Sequence, residues 1–210
     1  MAIIDIPKIP LIKGNGKKAP RECGKKEDEP LKKVERILKI YKAIISRYRE
    51  MIEEKEKKTI PELKMLIQPE NPAVLSICNS IKANFRPYIY KEHFLKAAEL
   101  CHDFVKEEIA NEVLPVDFWM RPEEILEIGA ADEVDKAIFL CSLLIALENK
   151  SAKVLIESAE AKRAFVIFEF GGDFYLIDPV RGEIKKGKHE DFAKSGSYEF
   201  NNQEYNELSD

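Results

Sequence analysis

The chain has 210 residues and a formal net charge of −4, with 45% hydrophobic and 34% charged residues. That length suits one to two domains at about 150 residues each, and the apolar share supports a packed core and excludes a disordered chain. The acidic balance, with a pI near 5.6, argues against general nucleic-acid binding through net charge.

No apolar run reaches the roughly 18 to 20 residues that span a bilayer, so no membrane association is expected. The start, Met1-Ala2-Ile3-Ile4-Asp5-Ile6-Pro7, lacks the long apolar stretch and cleavage site of a signal peptide. A cytoplasmic location follows as an expectation, and Cys23, Cys78, Cys101 and Cys141 are expected to stay reduced there. None forms a C-x-x-C pair and no histidines stand at metal-ligand spacing, so neither zinc nor any cofactor is expected. The charge excess is mostly Lys and Glu with little Gln, a pattern of heat-adapted proteins.

Residues 1–30 read as a flexible basic arm. Pro7, Pro10, Pro20 and Pro30 with Gly14, Gly16 and Gly24 among many lysines bury little and order weakly. Lys17, Lys18, Lys25 and Lys26 suit a solvated tail or contact with an acidic partner. Residues 31–68 read as a long amphipathic helix. Leu31, Val34, Leu38, Tyr41, Ile45, Tyr48 and Ile52 alternate in steps of three and four, an a/d seam over about three heptads, and Ile37, Ile44 and Met51 widen it. Such a stripe either packs on the chain's own domain or pairs with another helix, through self-association or with a protein partner, over residues 31–58.

Residues 69–184 read as the main domain. Asn71 and Pro72 mark a helix start, and two helices are expected over about 72–84 and 91–111, the second with Phe94, Ala98, Cys101 and Val105 as its stripe. Residues 115–119 form a loop, and 122–128 a short helix ending at Gly129. Asp132 caps the next helix, with Asp135 as its capping-box-like partner. That helix is apolar nearly all round from Ala137 to Leu147, which predicts burial in the middle of a domain. Strands follow at 153–156, 164–170 and 173–177. The middle one is apolar on both faces and therefore central, and Gly171-Gly172 forms the hairpin turn. Residues 185–210 read as a polar tail with one weak edge strand near 198–200.

Charged residues stand at three junctions of this core: Asp132-Glu133 where the buried helix starts, Arg163 where the central strand starts, and Asp178 where its partner ends. Here the sequence resembles the transglutaminase-like superfamily. The matching pieces are Phe118-Trp119-Met120-Arg121-Pro122-Glu123-Glu124-Ile125-Leu126, then Gly129-Ala130-Ala131-Asp132-Glu133-Val134-Asp135-Lys136-Ala137, then Arg163-Ala164-Phe165-Val166, and Phe174-Tyr175-Leu176-Ile177-Asp178-Pro179. The resemblance covers about residues 70–182. It implies an α+β papain-like fold, a central buried helix on a small antiparallel sheet, here preceded by a long N-terminal helix.

The family's Cys–His–Asp triad, carried over slot by slot, falls on Glu133, Arg163 and Asp178. A one-residue slip puts Ala131 or Ala164 in the first or second slot and restores neither Cys nor His. Glu133 and Arg163 keep the signs of the thiolate–imidazolium pair, but the nucleophile is gone and Arg does not release its proton near neutral pH. The resemblance thus implies no catalytic residue, and a structural ion cluster in which Arg163 makes a two-pronged bond to Glu133 or Asp178. If buried, that cluster would cost about 3 to 5 kcal/mol on loss of one partner.

Other assignments compete. Glu133 and Asp178 could form a hydrolytic carboxylate pair, but an Arg163 between them would hold both ionised. Asp132, Glu133, Asp135 and Asp178 could gather round magnesium or calcium, but two of them already serve as caps. Trp119 and Asp132 are candidate binding residues, although Trp119 also suits a core position and Asp132 a cap. Cys141 lies two turns into an apolar helix, where a thiol is inert. Cys101 and His102 are helix neighbours that point apart, and His93 and His189 read as surface residues. The leading expectation is a non-catalytic transglutaminase-like domain acting as a protein-binding or scaffold module. The alternatives are a cysteine-type amidase, peptidase or transglutaminase-like enzyme, and a nucleic-acid accessory factor using the arm's lysines.

Overall fold

The computed structural model describes residues 28–116, 118–157 and 163–208. The expected flexible arm lies outside the described residues except for its last three positions, which begin a helix. The chain divides into two compact units, one ending at Arg47 and the other spanning Tyr48–Asp210. The first of seven helices among the described residues, α1 (Asp28–Glu56), is set by the heptad-like stripe.

The expected helix over 31–68 is corrected here: α1 stops at Glu56, and the chain restarts as α2 (Ile60–Leu63) and a 3-10 turn over Lys64–Leu66. The restart follows Pro61, which fits a first helical turn and not a helix interior. α3 (Pro72–Lys82) begins where its cap predicts: the Asn71 side chain accepts the Ala73 backbone N–H at 2.9 Å, with Pro72 at the first helical position. α4 (Tyr90–Glu108) ends before residue 111, because Ala110–Asn111 (β1) pairs in parallel with Ala130–Ala131 (β2). α5 (Pro122–Ile128) closes on Gly129 at φ 70°, the left-handed position a glycine adopts without cost.

α6 (Glu133–Ala146) is the predicted central helix, buried on almost every side. The Asp132 side chain accepts the Asp135 N–H at 2.9 Å, as expected of an N-cap. Asp135 does not return a capping bond. Its carboxyl is turned into the interior, and neither oxygen makes a well-formed hydrogen bond, which corrects the capping-box expectation.

α6 packs on β3 (Lys153–Ile156) and β4 (Ala164–Phe170), with α3 and α4 on its other sides. β4 turns through Gly171 and Gly172, both at positive φ, into β5 (Asp173–Ile177). The tail does not end in one weak edge strand. Residues 184–187, 198–200 and 205–207 form β6, β7 and β8, with the short helix α7 (His189–Phe192) between the first two. All pairings in the resulting six-stranded sheet, ordered β6-β5-β4-β3-β7-β8, are antiparallel. β4 is central as predicted: Ala164, Val166 and Phe168 join the main core, while Phe165 and Ile167 join Leu155 in a second cluster flanked by Phe174, Leu176 and Phe192. The architecture is therefore α+β, a buried helix on an antiparallel sheet, with a long N-terminal helix.

Candidate functional site

The start of α6, the start of β4 and the end of β5 meet in one place. The dipole and free N–H groups of a helix start favour an anion there, and Glu133 supplies one. Its Oε1 accepts the N–H of Ala164, the first residue of β4, at 3.3 Å. Burial and the nearby Asp178 push the Glu133 carboxyl above its ordinary value, against the opposing Ala164 N–H, Arg163 and Arg181.

Asp178 stands directly after β5. Its Oδ1 accepts the N–H of Val180 at 2.9 Å and of Arg181 at 2.8 Å, a turn that closes around Pro179 and buries the carboxylate. Arg163, just before β4, brings Nη2 to 4.0 Å from Asp178 Oδ2 and Nη1 to 3.5 Å from Glu157 Oε2. Its guanidinium lies over the Phe165 ring, 4.9 Å from the centroid. The structure thus brings the three junction residues into one neighbourhood, but not in the expected arrangement. Arg163 shares itself between Asp178 and Glu157 at distances too long for a two-pronged bond, and Glu133 takes a backbone N–H instead. The Arg163 side chain keeps 37% of its accessible surface while Asp178 is buried, so the ion pair is open to solvent on the arginine side and the cost of about 3 to 5 kcal/mol expected of a buried cluster does not apply. Ala131 and Ala164, the slip positions, are fully buried small residues.

Two further groups complete the neighbourhood. Lys136, one turn along α6 and almost wholly inaccessible, donates its Nζ to the Ile109 carbonyl at 2.8 Å, just past the end of α4. Burial pulls its ammonium below the usual lysine value, and Asp178 partly opposes this. His102, set aside in the sequence, is buried, and its Nε2 donates to the Asp178 carbonyl at 3.1 Å. Burial pulls the imidazole below its ordinary value, which keeps it neutral. Ala98, His102 and Val105 stand at i, i+4 and i+7 on the buried face of α4, a spacing that could have revealed it. A cavity of about 330 Å³ opens beside the cluster, its lining including Arg163, Phe165, Leu176, Asp178, Arg181 and Phe192.

The remaining candidates sit elsewhere. Trp119 is half-buried, donates its Nε1–H to the Glu56 carbonyl at 2.9 Å and borders another cavity, so it is not part of this cluster. Asp132 serves as the cap of α6. Asp135 is pushed up to about 8 by burial, with Asp132 and Glu124 adding to the rise and the Met120 backbone opposing it. Cys78, Cys101 and Cys141 are buried and unbridged. Burial pushes the thiols of Cys101 and Cys141 upward, and Cys78 donates to the Leu143 carbonyl at 3.4 Å. His189 is no plain surface histidine. Its Nε2 lies 2.6 Å from Oε1 of Glu199, a buried carboxylate on β7, and that pairing was hidden because the tail showed no strand pattern. Among the described residues no cluster of three or more His, Cys, Asp or Glu could hold a metal ion.

No protein-family model matches the chain, and no curated protein matches it. Among solved structures, Legionella pneumophila LapG is similar at 18% identity and a TM-score of 0.44, covering 62% of this chain and 73% of that one. Its calcium-bound form gives the same figures. Its EGTA-treated form gives 19% identity and a TM-score of 0.45, with 62% of this chain and 71% of that one covered.

Proposed function

We propose that this chain is a non-catalytic, transglutaminase-like domain that works by binding another protein chain in the cytoplasm. One observation carries the reading: the slots that the family resemblance assigns to the thiol and the imidazole fall on Glu133 and Arg163, and Arg163 stands 4.0 Å from Asp178, the residue in the third slot. Glu133 has no sulfur to attack with, and a guanidinium neither takes nor returns a proton near neutral pH. Two of the three described thiols support the same reading, since burial raises the Cys101 and Cys141 values and lowers their nucleophilicity, whereas a hydrogen bond with Cys101 lowers the value of Cys78, which is shielded from solvent by its burial. Among the described residues no helix is long and apolar enough to cross a membrane. The exposed stripe of α1 is the surface on this chain best suited to a protein contact.

The test is thiol reactivity in the folded protein. Iodoacetamide at neutral pH, with each cysteine followed by peptide mass, should modify Cys78, Cys101 and Cys141 only after denaturant is added. Fast modification of any of these three in the folded state would overturn the reading in favour of a cysteine-type enzyme. Binding to nucleic acid that weakens steeply with salt would instead favour an accessory factor.

A further inference from the structure

Cys78 and Cys101 stand on different helices and meet in the core. On α3, Val74, Cys78 and Ile81 follow at i, i+4 and i+7, and all three are buried. On α4 the buried face holds Ala97, Ala98, Cys101 and Val105, where two alanines add little bulk beside the thiol. The two helices pack against each other, and both pack on α6. The Cys101 thiol donates to the Cys78 sulfur, so the two sulfurs are neighbours across the helix pair. Cys78 in turn donates to the Leu143 carbonyl at 3.4 Å. Cys141 is buried as deeply, but its sulfur is set against the Val154 backbone and not against another thiol.

We infer that Cys78 and Cys101 are a reversible redox pair, joined by an intrachain disulfide when the chain meets a peroxide. The inference concerns the contact between α3 and α4 and stands whether or not the junction residues are catalytic. The chemistry closes with hydrogen peroxide as oxidant. The Cys78 thiolate attacks one peroxide oxygen, the O–O bond breaks, and the sulfur becomes a sulfenic acid. The other oxygen leaves as hydroxide and takes up the thiol's proton as water. The Cys101 sulfur then attacks the Cys78 sulfur, the S–S bond forms, the S–O bond breaks, and a second water leaves. Two thiols give up two electrons and two protons, and one peroxide is reduced to two waters. The order follows from the surroundings. The hydrogen bond from Cys101 favours the thiolate at Cys78 against burial, with Lys82 adding to it, while burial and the bond to Cys78 disfavour it at Cys101. Peroxide is small enough to enter through brief local openings that exclude a bulkier alkylating reagent. Losing the Cys78 S–H leaves no orphan, because the Leu143 carbonyl still accepts the Leu147 N–H at 2.9 Å. The structure holds the pair as free thiols, the resting form in a reducing compartment, where a disulfide is a transient state. The bond would lock α3 to the helix that carries His102 and its contact with the Asp178 carbonyl. It would also restrict the unfolded chain by closing a loop.

The experiment uses the full chain with Cys23→Ser, since Cys23 lies outside the described residues. The reduced, folded protein is treated with hydrogen peroxide, alkylated with N-ethylmaleimide in denaturant, digested and read by peptide mass. The peptides holding Cys78 and Cys101 should be linked, Cys141 should carry the alkyl group, and dithiothreitol should reverse the link. The oxidised chain should melt roughly 5 to 10 °C above the reduced one. Cys101→Ser keeps a hydrogen-bond donor but cannot close the bond, so Cys78 should be trapped as a sulfenic acid that dimedone labels. Cys141→Ala should leave the link intact. Free thiols at both positions after peroxide, or a link from either to Cys141, overturn the pair. A linked chain that melts no higher than the reduced one overturns the lock. Iodoacetamide labelling of the reduced chain reads the enzyme question separately, so neither failure can be mistaken for the other.

Discussion

Asp135 sits in the first turn of the central helix with no accessible surface and no well-formed hydrogen bond to its oxygens. Burying a carboxylate in that setting is costly, and the protein avoids the cost by keeping the proton, with the carboxyl pushed up to about 8. Between the ordinary value of 3.8 and about 8, the folded state holds a proton that the unfolded state has released. Stability from this group is therefore complete below the ordinary value and is lost as pH rises towards 8. At about 1.4 kcal/mol per unit, the loss across that window is several kcal/mol. Urea unfolding should give a smaller free energy at pH 8 than near pH 5, and Asp135→Asn should flatten the difference and raise stability at pH 8. Arg163 poses the opposite case. Its ion pairs are long and its side chain half-exposed, so Arg163→Ala should cost about 1 kcal/mol or less, read as a small drop in melting temperature. The charges at the junctions were legible because polar residues interrupt apolar elements. The partners were not: whether Arg163 reaches Glu133 or Glu157 depends on side-chain paths that spacing does not encode.

At the scale of elements, the sequence signals differ sharply in kind. Asn71-Pro72, Gly129 and Asp132 are local devices that satisfy or terminate a helix end, so the starts of α3 and α6 and the end of α5 could be read from a few residues. The buried strand β4 was equally legible, since an all-apolar run of that length has to be covered on both faces. β6, β7 and β8 carry no such pattern. Ile184–Gly187 is mostly exposed, and Glu199 places a charge on the buried side of β7, where His189 and the more distant Lys153 compensate it. These strands exist because they complete hydrogen bonds of neighbours, with Phe200 opposite Val154 and Tyr198 opposite Ile156. β7 is therefore a structural member of the sheet, despite its polar surroundings. Truncation after Lys188 should expose the β3 edge and remove the fully buried Phe200, and the expected result is loss of the cooperative thermal transition by circular dichroism. A polar tail would leave that transition unchanged.

The whole molecule separates two kinds of surface energy. The helices and sheet around α6 bury their apolar side chains in two clusters divided by the sheet, while α1 keeps its stripe at the surface. The first arrangement follows from periodicity within one chain. The second cannot be resolved that way, because a stripe of the same period serves a domain core and an interface alike. The two outermost strands of the sheet bear on the molecule's behaviour at high concentration. β6 presents Lys185 and Lys186, ion-paired with Glu183 and Asp173, and β8 is a three-residue strand, Tyr205-Asn206-Glu207. Short, charged margins are poor templates for an incoming strand. Margins of this kind close off one route by which β-proteins adhere, the unlimited stacking that ends in fibrils.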